Sequence, residues 1–327
     1  MNRIRGHCTS SHVWEARQAR AAANRPCRRF DVVREEDPID VFRTPDDRFD
    51  GLPGWSFEPR YVQLGALRMH YVDEGEGRPV LLLHGEPTWS FLYRKVIAEL
   101  SSSARCIAPD YFGFGRSDKP AEAGWYSYDA HFLAIERFVR ELELRDLTVV
   151  VQDWGGPIGF RLCVEQPQRI ARLVVLNTGI GARAPNDEWL RFAAYMRRVG
   201  TDIEAGWLVR RTLVQPAGDD VIAGYDAAFP EPRSRVGVVR FPELVATSPD
   251  HPSAAAMLDV RERLRRFEQP ALVLFGAEDT IFPRPAAEAM AELLPNAELD
   301  PPLEGAGHFL QEDRGEEVGR RVASFVR

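Results

Sequence analysis

The stretch Val149–Gly156, which reads VVVQDWGG, is the best guide to the fold of this 327-residue chain. Its β-branched residues predict a buried strand of a parallel sheet. The two glycines that follow a polar pair and an aromatic residue predict a sharp turn into a helix. Such a turn lifts the side chain at its tip above the edge of the sheet. Here that side chain is Asp153, whose carboxylate needs no base to activate it.

Short apolar runs alternate with helical patterns along the rest of the chain. The strands we predict, besides the one above, cover residues 80–84, 105–110, 173–176, 271–275 and 297–299, with a hairpin over 61–73. The helices we predict cover residues 128–143, 155–165 and 318–326. Because strands and helices alternate, the sequence predicts an α/β fold, a mostly parallel sheet with helices on both faces.

We divide the chain into an N-terminal extension, a core in two segments and a helical cap inserted between them. The extension covers residues 1–38, the core covers 39–177 and 266–327, and the cap covers 178–265. The cap residues lack strand-like runs and are expected to cover the carboxyl ends of the strands, where open α/β sheets bind ligands. The extension is rich in arginine and has no secretory h-region, so we expect it to be disordered.

Composition excludes several kinds of partner. The formal net charge of −7 argues against nucleic acid and anionic membranes. No apolar run approaches the ~20 residues of a membrane span. The four cysteines, Cys8, Cys27, Cys106 and Cys163, have neither paired nor metal-like spacing. We therefore expect a cytoplasmic protein with no metal and no cofactor, and the oligomeric state is left open.

The partners of Asp153 follow from the order nucleophile, acid, histidine that this layout requires. Among the seven histidines, His308 stands in the sequence GAGHF after the last predicted strand and is the candidate base. Asp279 follows the strand before it and is the candidate acid, with Glu278 as the alternative one residue away. In some hydrolases the acid instead follows the preceding strand, here residues 173–176. That position is occupied by Asn177, which carries no charge.

The loop HGEPTW at residues 84–89 follows a predicted strand and provides backbone donors. We expect the N–H groups of Glu86 and Trp154 to converge on an oxyanion that develops at Asp153.

Three motifs carry a resemblance to a known family. The sequences HGEPTWS at 84–90, QDWGG at 152–156 and GAGHF at 305–309 resemble those of haloalkane dehalogenases in the α/β-hydrolase superfamily. The similarity extends from about Asp40 to the C-terminus, and the glutamate of the first motif is typical of one subfamily. The resemblance implies that Asp153 displaces halide to form an alkyl ester, which water activated by His308 then hydrolyses.

The same resemblance implies a halide site built from two indole N–H groups, which are donors only. Trp154 belongs to the motif, and the second donor is expected from the cap, where we choose Trp189 over Trp207. The implied ligands are a small hydrophobic halogenated substrate and a halide ion.

Two other functions are considered. An epoxide hydrolase would need two cap tyrosines, and the cap contains Tyr195 and Tyr225. A non-catalytic ligand-binding protein of the same fold would not need all three residues of the triad, which are all present here. The sequence leaves the identity of the preferred haloalkane open.

Overall fold

The computed structural model describes residues 39–181 and 187–327, without the side chain of Glu188. The extension over residues 1–38, expected to be disordered, lies outside the described residues. The strands are β1 (Val41–Phe42), β2 (Arg60–Leu64), β3 (Leu67–Glu74), β4 (Pro79–Leu83), β5 (Arg105–Pro109), β6 (Lys119–Pro120), β7 (Leu147–Gln152), β8 (Ile170–Leu176), β9 (Ala271–Leu274) and β10 (Ala297–Leu299).

The α-helices flank the sheet that most of these strands form, or lie in the segment of chain between β8 and β9. They are α1 (Arg94–Leu100), α2 (Tyr128–Glu141), α3 (Gly155–Glu165), α4 (Asp187–Val199), α5 (Ala205–Thr212), α6 (Asp219–Ala227), α7 (Val236–Arg240), α8 (Ala254–Leu264), α9 (Arg284–Leu293), α10 (Leu310–Asp313) and α11 (Gly315–Val326). The predicted strands, hairpin and helices are all present. Their observed ends differ from the predicted ones by a few residues at most.

The main sheet has eight strands in the order β10-β9-β8-β7-β4-β5-β3-β2. Strand β3 runs antiparallel to β2 and β5, and the remaining pairs are parallel. Strand β7 pairs with β4 on one side and β8 on the other, and all six of its residues are buried. A strand with both edges paired and both faces covered favours the run of β-branched residues seen there.

Helix α3 lies close against the sheet because its first turn lacks side chains. A Cβ atom at Gly155 would overlap the carbonyl group of Leu83, and one at Gly156 would overlap the side chain of Thr178. These glycines therefore set the distance between the helix and the strand ends beside Asp153.

Helices α4 to α8 form the predicted helical insertion, and the described residues between Asp187 and Leu264 contain no strand. The insertion contacts the core through aromatic packing, as at Phe241 and Phe114, whose ring centroids lie 4.7 Å apart. It is also held by hydrogen bonds, such as that from the Thr44 hydroxyl to the Ala228 carbonyl (2.8 Å). None of the helices in the described part of the chain has the length and hydropathy needed to cross a bilayer.

Candidate active site

Asp153 follows β7 directly and adopts a left-handed backbone conformation, with φ of +47°. This conformation is unfavourable for a non-glycine residue and must be held by its surroundings. The Asp153 N–H donates to the Asn177 carbonyl at 3.1 Å. Its carbonyl accepts from the Gly156 N–H at 2.9 Å and the Thr178 hydroxyl at 2.6 Å. These bonds fix the turn that presents the Asp153 carboxylate above the sheet.

The loop after β4 packs directly on this carboxylate. The Glu86 N–H donates to Asp153 Oδ1 at 2.8 Å, and a Cβ atom at Gly85 would overlap the carboxylate itself. The second expected donor, the Trp154 N–H, makes no hydrogen bond to the Asp153 carboxylate within the described structure. Because Trp154 is the N-cap of α3, its N–H has no partner within the helix and remains a candidate donor.

His308 lies between the two acids that the sequence pairs with it. Its Nε2 atom is 3.7 Å from Asp153 Oδ2, and its Nδ1 atom is 3.1 Å from Asp279 Oδ2. The other oxygen of Asp279 accepts from the Ile281 N–H at 2.8 Å, which fixes the carboxylate. His308 and Asp279 are both buried. The short contact with Asp279 orients the imidazole so that Nε2 faces Asp153.

The electrostatics of the site favour a charged imidazolium. Burial alone would lower the pKa of His308, but the Asp279 and Asp153 carboxylates outweigh it and raise this pKa to about 10. Burial would likewise raise the pKa of Asp279, but the charge and hydrogen bond of His308 outweigh it and lower this pKa. His308 is therefore protonated at neutral pH, with the charged Asp279 beside it.

Two amides that the sequence reasoning did not assign to the site position the His308 loop. The buried Asn177 donates from Nδ2 to the carbonyls of Gly307 (2.7 Å) and His308 (3.0 Å), and its Oδ1 accepts from the Gly276 N–H (2.8 Å). Gln152 also donates from Nε2 to the His308 carbonyl (3.2 Å). The signal in the sequence is a polar residue at the carboxyl end of an otherwise apolar strand.

Glu278, the alternative acid, has a different role. Its carboxylate is exposed and accepts from the backbone N–H groups of Gly305 (3.2 Å) and Ala306 (3.0 Å). It thereby fastens the loop that precedes His308, whereas Asp279 faces the imidazole ring.

The structure places the two tryptophans chosen for the halide site in different surroundings. Trp154 is buried and packs edge-on against Phe241, with ring centroids 5.2 Å apart. No described residue accepts a hydrogen bond from its indole N–H. Trp189 lies in the first turn of α4 and, with Pro242, lines a cleft of about 280 Å³. The described residues that line this cleft do not include Trp154, Asp153 or His308, so a halide site shared by the two indoles stays a prediction.

The other cap residues considered for the site are Trp207, Tyr195 and Tyr225, and each makes a different contact. Trp207 stacks on Tyr195, with ring centroids 5.3 Å apart, and the Arg211 guanidinium lies 4.9 Å from the Trp207 ring centroid. Tyr225 is fully buried, and its hydroxyl donates to Glu312 at 2.6 Å. The Tyr225 hydroxyl is therefore engaged with Glu312, which does not favour the epoxide-hydrolase alternative.

A parallel sheet that carries its nucleophile on the turn after β7, with the acid and histidine on later loops, defines an α/β hydrolase. The profile of the family described as "alpha/beta hydrolase fold" matches residues 78–315. The chain is 42% identical over 299 residues to a haloalkane dehalogenase of Mycolicibacterium paratuberculosis, covering 87% of this chain and 98% of that protein. It is 43% identical over 301 residues to haloalkane dehalogenase 1 of Mycobacterium tuberculosis, covering 88% and 99%.

A solved structure agrees with these relatives. The tetrameric haloalkane dehalogenase DpaA of Paraglaciecola agarilytica NO2 superposes with a TM-score of 0.82 at 32% identity, covering 88% of this chain and 99% of that one. The chain belongs to the haloalkane dehalogenase family and is a hydrolase. The resemblance predicted from the three motifs is confirmed.

Proposed function

We propose that this enzyme hydrolyses the carbon–halogen bond of haloalkanes, through an ester between the alkyl group and Asp153. The observation that carries the proposal is the environment of the Asp153 carboxylate. One oxygen is engaged by the Glu86 N–H at 2.8 Å, and the other faces the Nε2 atom of His308 at 3.7 Å. A carboxylate with one fixed and one accessible oxygen is suited to displacement at saturated carbon.

In the first step Asp153 Oδ2 attacks the halogen-bearing carbon, and the electron pair of the carbon–halogen bond leaves with the halide. An oxygen–carbon bond replaces the carbon–halogen bond, and no proton moves. The charge that grows on the halide needs donors in a site that excludes water. We assign this role to the indole N–H groups of Trp154 and Trp189.

In the second step His308 first gives its resting proton to solvent, and its Nε2 atom then takes a proton from water while the water oxygen attacks Cγ of the Asp153 ester. The oxyanion forms at Oδ1, next to the Glu86 N–H, with the Trp154 N–H as the second donor. Collapse of this intermediate breaks the bond between Cγ and the alkoxy oxygen, and His308 gives the proton it took from water to the departing alcohol. The Asp153 carboxyl group then passes the remaining proton of the water to His308, which restores the resting carboxylate and imidazolium. One haloalkane and one water thus yield one alcohol, one halide and one proton.

The pKa of His308 couples the two steps. The resting imidazole is charged because two carboxylates face it, and burial by itself opposes that charge. Esterification removes the charge of Asp153 and with it part of the effect that raises the pKa of His308. The histidine therefore becomes easier to deprotonate when the ester forms, which is when a base is needed.

Halide release tests the proposal directly. Purified enzyme is incubated with a panel of bromo- and chloroalkanes and, in parallel, with a panel of epoxides. We expect equimolar halide and alcohol from the first panel and no diol from the second, with no halide released by Asp153→Ala. Diol formation without halide release would contradict the proposal.

A further inference from the structure

The carboxylate of Asp313, the last residue of α10, is hydrogen-bonded to two separate segments of the chain. Its Oδ2 atom accepts from the Gly307 N–H at 2.8 Å. Its Oδ1 atom accepts from the Gln215 N–H at 2.8 Å and from the Val214 N–H at 3.0 Å. The first segment is the loop that carries the candidate base, and the second is the cap loop, residues 213–218, which joins α5 to α6. One side chain therefore binds both the loop of the base and the cap.

The cap loop also packs on the histidine loop, residues 305–309. A Cβ atom at Gly307 would overlap the carbonyl oxygen of Thr212, the last residue of α5. The Gln215 side chain donates from Nε2 to the Gly305 carbonyl at 3.0 Å. The two loops are therefore in direct contact, and Asp313 is hydrogen-bonded to both.

The charge of Asp313 is stabilised by backbone N–H groups. The residue is 8% exposed, and no arginine or lysine in the described part of the chain forms an ion pair with it. Burial raises the pKa of Asp313, and the three N–H groups that it accepts from oppose this rise. A buried carboxylate that loses a donor without gaining another is costly. Asp313 therefore favours the arrangement in which both loops are in place.

Glu278 offers a comparison because it binds the histidine loop without touching the cap. Its exposed carboxylate accepts from the N–H groups of Gly305 at 3.2 Å and Ala306 at 3.0 Å. No hydrogen bond or ion pair joins it to a cap residue that the structure describes. Glu278 fastens the histidine loop alone, whereas Asp313 also fixes that loop relative to the cap.

We propose that Asp313 is a positioning residue that couples the seating of the cap loop to the placement of His308. The inference rests on the proposed covalent function, in which His308 acts as a base only after the ester has formed. While Asp313 holds both loops, the His308 ring lies 3.1 Å from Asp279 and 3.7 Å from Asp153. Withdrawal of the cap loop removes its packing against Gly307, so the histidine is no longer fixed toward the ester. Ester hydrolysis therefore depends on the cap loop, whereas displacement of halide does not.

Asp313→Asn tests the bridge at nearly unchanged size. Only one of the two terminal atoms of an asparagine side chain accepts hydrogen bonds, so the variant must release one of the loops. Single-turnover rapid-quench experiments with excess enzyme and a bromoalkane measure halide and alcohol separately. We expect halide formation within about three-fold of the wild-type rate and alcohol formation slower by at least about five-fold, because the base is misplaced. Alkylated Asp153 should accumulate in the interval.

A variant on the cap side tests the coupling without changing Asp313. Gln215→Pro removes one of the two cap N–H groups and the side-chain bond to Gly305, and leaves the Gly307 bond to Asp313 in place. Alcohol formation should again slow by at least about five-fold while halide formation is retained. Loss of the fold would slow both steps together, so the difference between the two rates distinguishes misplacement of His308 from general destabilisation.

Deuterium exchange followed by mass spectrometry supplies a readout independent of rate. In Asp313→Ala, peptides from the cap loop and from the histidine loop should both exchange at least about five-fold faster than in the wild type. The matched control, Glu278→Gln, should speed exchange in the histidine loop alone.

The proposal is overturned by wild-type rates of alcohol formation in Asp313→Asn, by equal slowing of halide and alcohol, or by unchanged exchange of the cap loop in Asp313→Ala. Absence of alkylated Asp153 from His308→Gln would instead refute the covalent function, and the exchange result would still decide whether Asp313 joins the two loops.

Discussion

His131 should make the folded protein sensitive to acid. This residue of α2 is 1% exposed, and neither of its ring nitrogens has a hydrogen-bond partner among the described residues. Burial, aided by His84, lowers the pKa of His131 from 6.5 to about 3. The unfolded chain therefore binds a proton as the pH falls below 6.5, whereas the folded protein does not until about pH 3. Stability is lost across that window.

The size of this loss follows from the two pKa values. At pH 5 the pH lies about 1.5 units below the pKa of His131 in the unfolded chain. Protonation of the unfolded chain therefore lowers the unfolding free energy by about 2 kcal/mol relative to pH 8. His131→Leu removes the titrating ring and should reduce the difference in unfolding free energy between pH 8 and pH 5 by that amount. Urea denaturation at both pH values measures it. Phe138→Leu, another buried change on α2, is the control and should destabilise equally at both. An unchanged pH dependence in His131→Leu would refute the reasoning.

Two further predictions concern the halide site and a hydrogen bond of the cap. Trp154→Phe and Trp189→Phe should each remove a charge-assisted hydrogen bond worth ~1.5–3 kcal/mol, and so weaken bromide binding roughly ten- to hundred-fold in fluorescence-quenching titrations. Trp207→Phe should bind bromide normally, and a larger effect there would show that the second donor was misassigned. Tyr225→Phe removes the hydroxyl bond to Glu312 and should lower the unfolding free energy by ~1.5–3 kcal/mol in urea denaturation, while halide release at saturating substrate is retained. Unchanged stability would contradict this assignment.

The fold could be predicted because its signals are local. The residue types of Val149–Val151 alone indicate a buried strand, and the two glycines after Asp153 alone indicate a turn. Boundaries were less accurate. Strand β8 begins at Ile170, three residues before the predicted start, because the partly exposed Ala171 and Arg172 dilute the apolar run.

The candidate site was predictable where the chain order of chemical groups constrains it. Asp153, Asp279 and His308 have distinctive residue types and places in the chain. The structure places the His308 ring 3.1 Å from the Asp279 carboxylate and 3.7 Å from the Asp153 carboxylate. The positioning contacts of Asn177 could not be predicted. They join residues about 130 positions apart and depend on how the loops meet in space.

The choice between Trp189 and Trp207 also depended on packing that the sequence does not encode locally. Both lie in helical patterns of the cap, and either could face the core. Trp207 stacks on Tyr195 in the structure, and the choice of Trp189 as the second halide ligand stays a prediction.

The covalent role of Asp153 is tested most directly with His308→Gln. Displacement of halide needs only the carboxylate, whereas ester hydrolysis needs a base. The variant should therefore release about one halide per active site and then stall. Mass spectrometry should find the alkyl group of a bromoalkane on the peptide that contains Asp153. An unmodified Asp153 in a His308→Gln protein that retains the circular dichroism spectrum and thermal midpoint of the wild type would contradict the account.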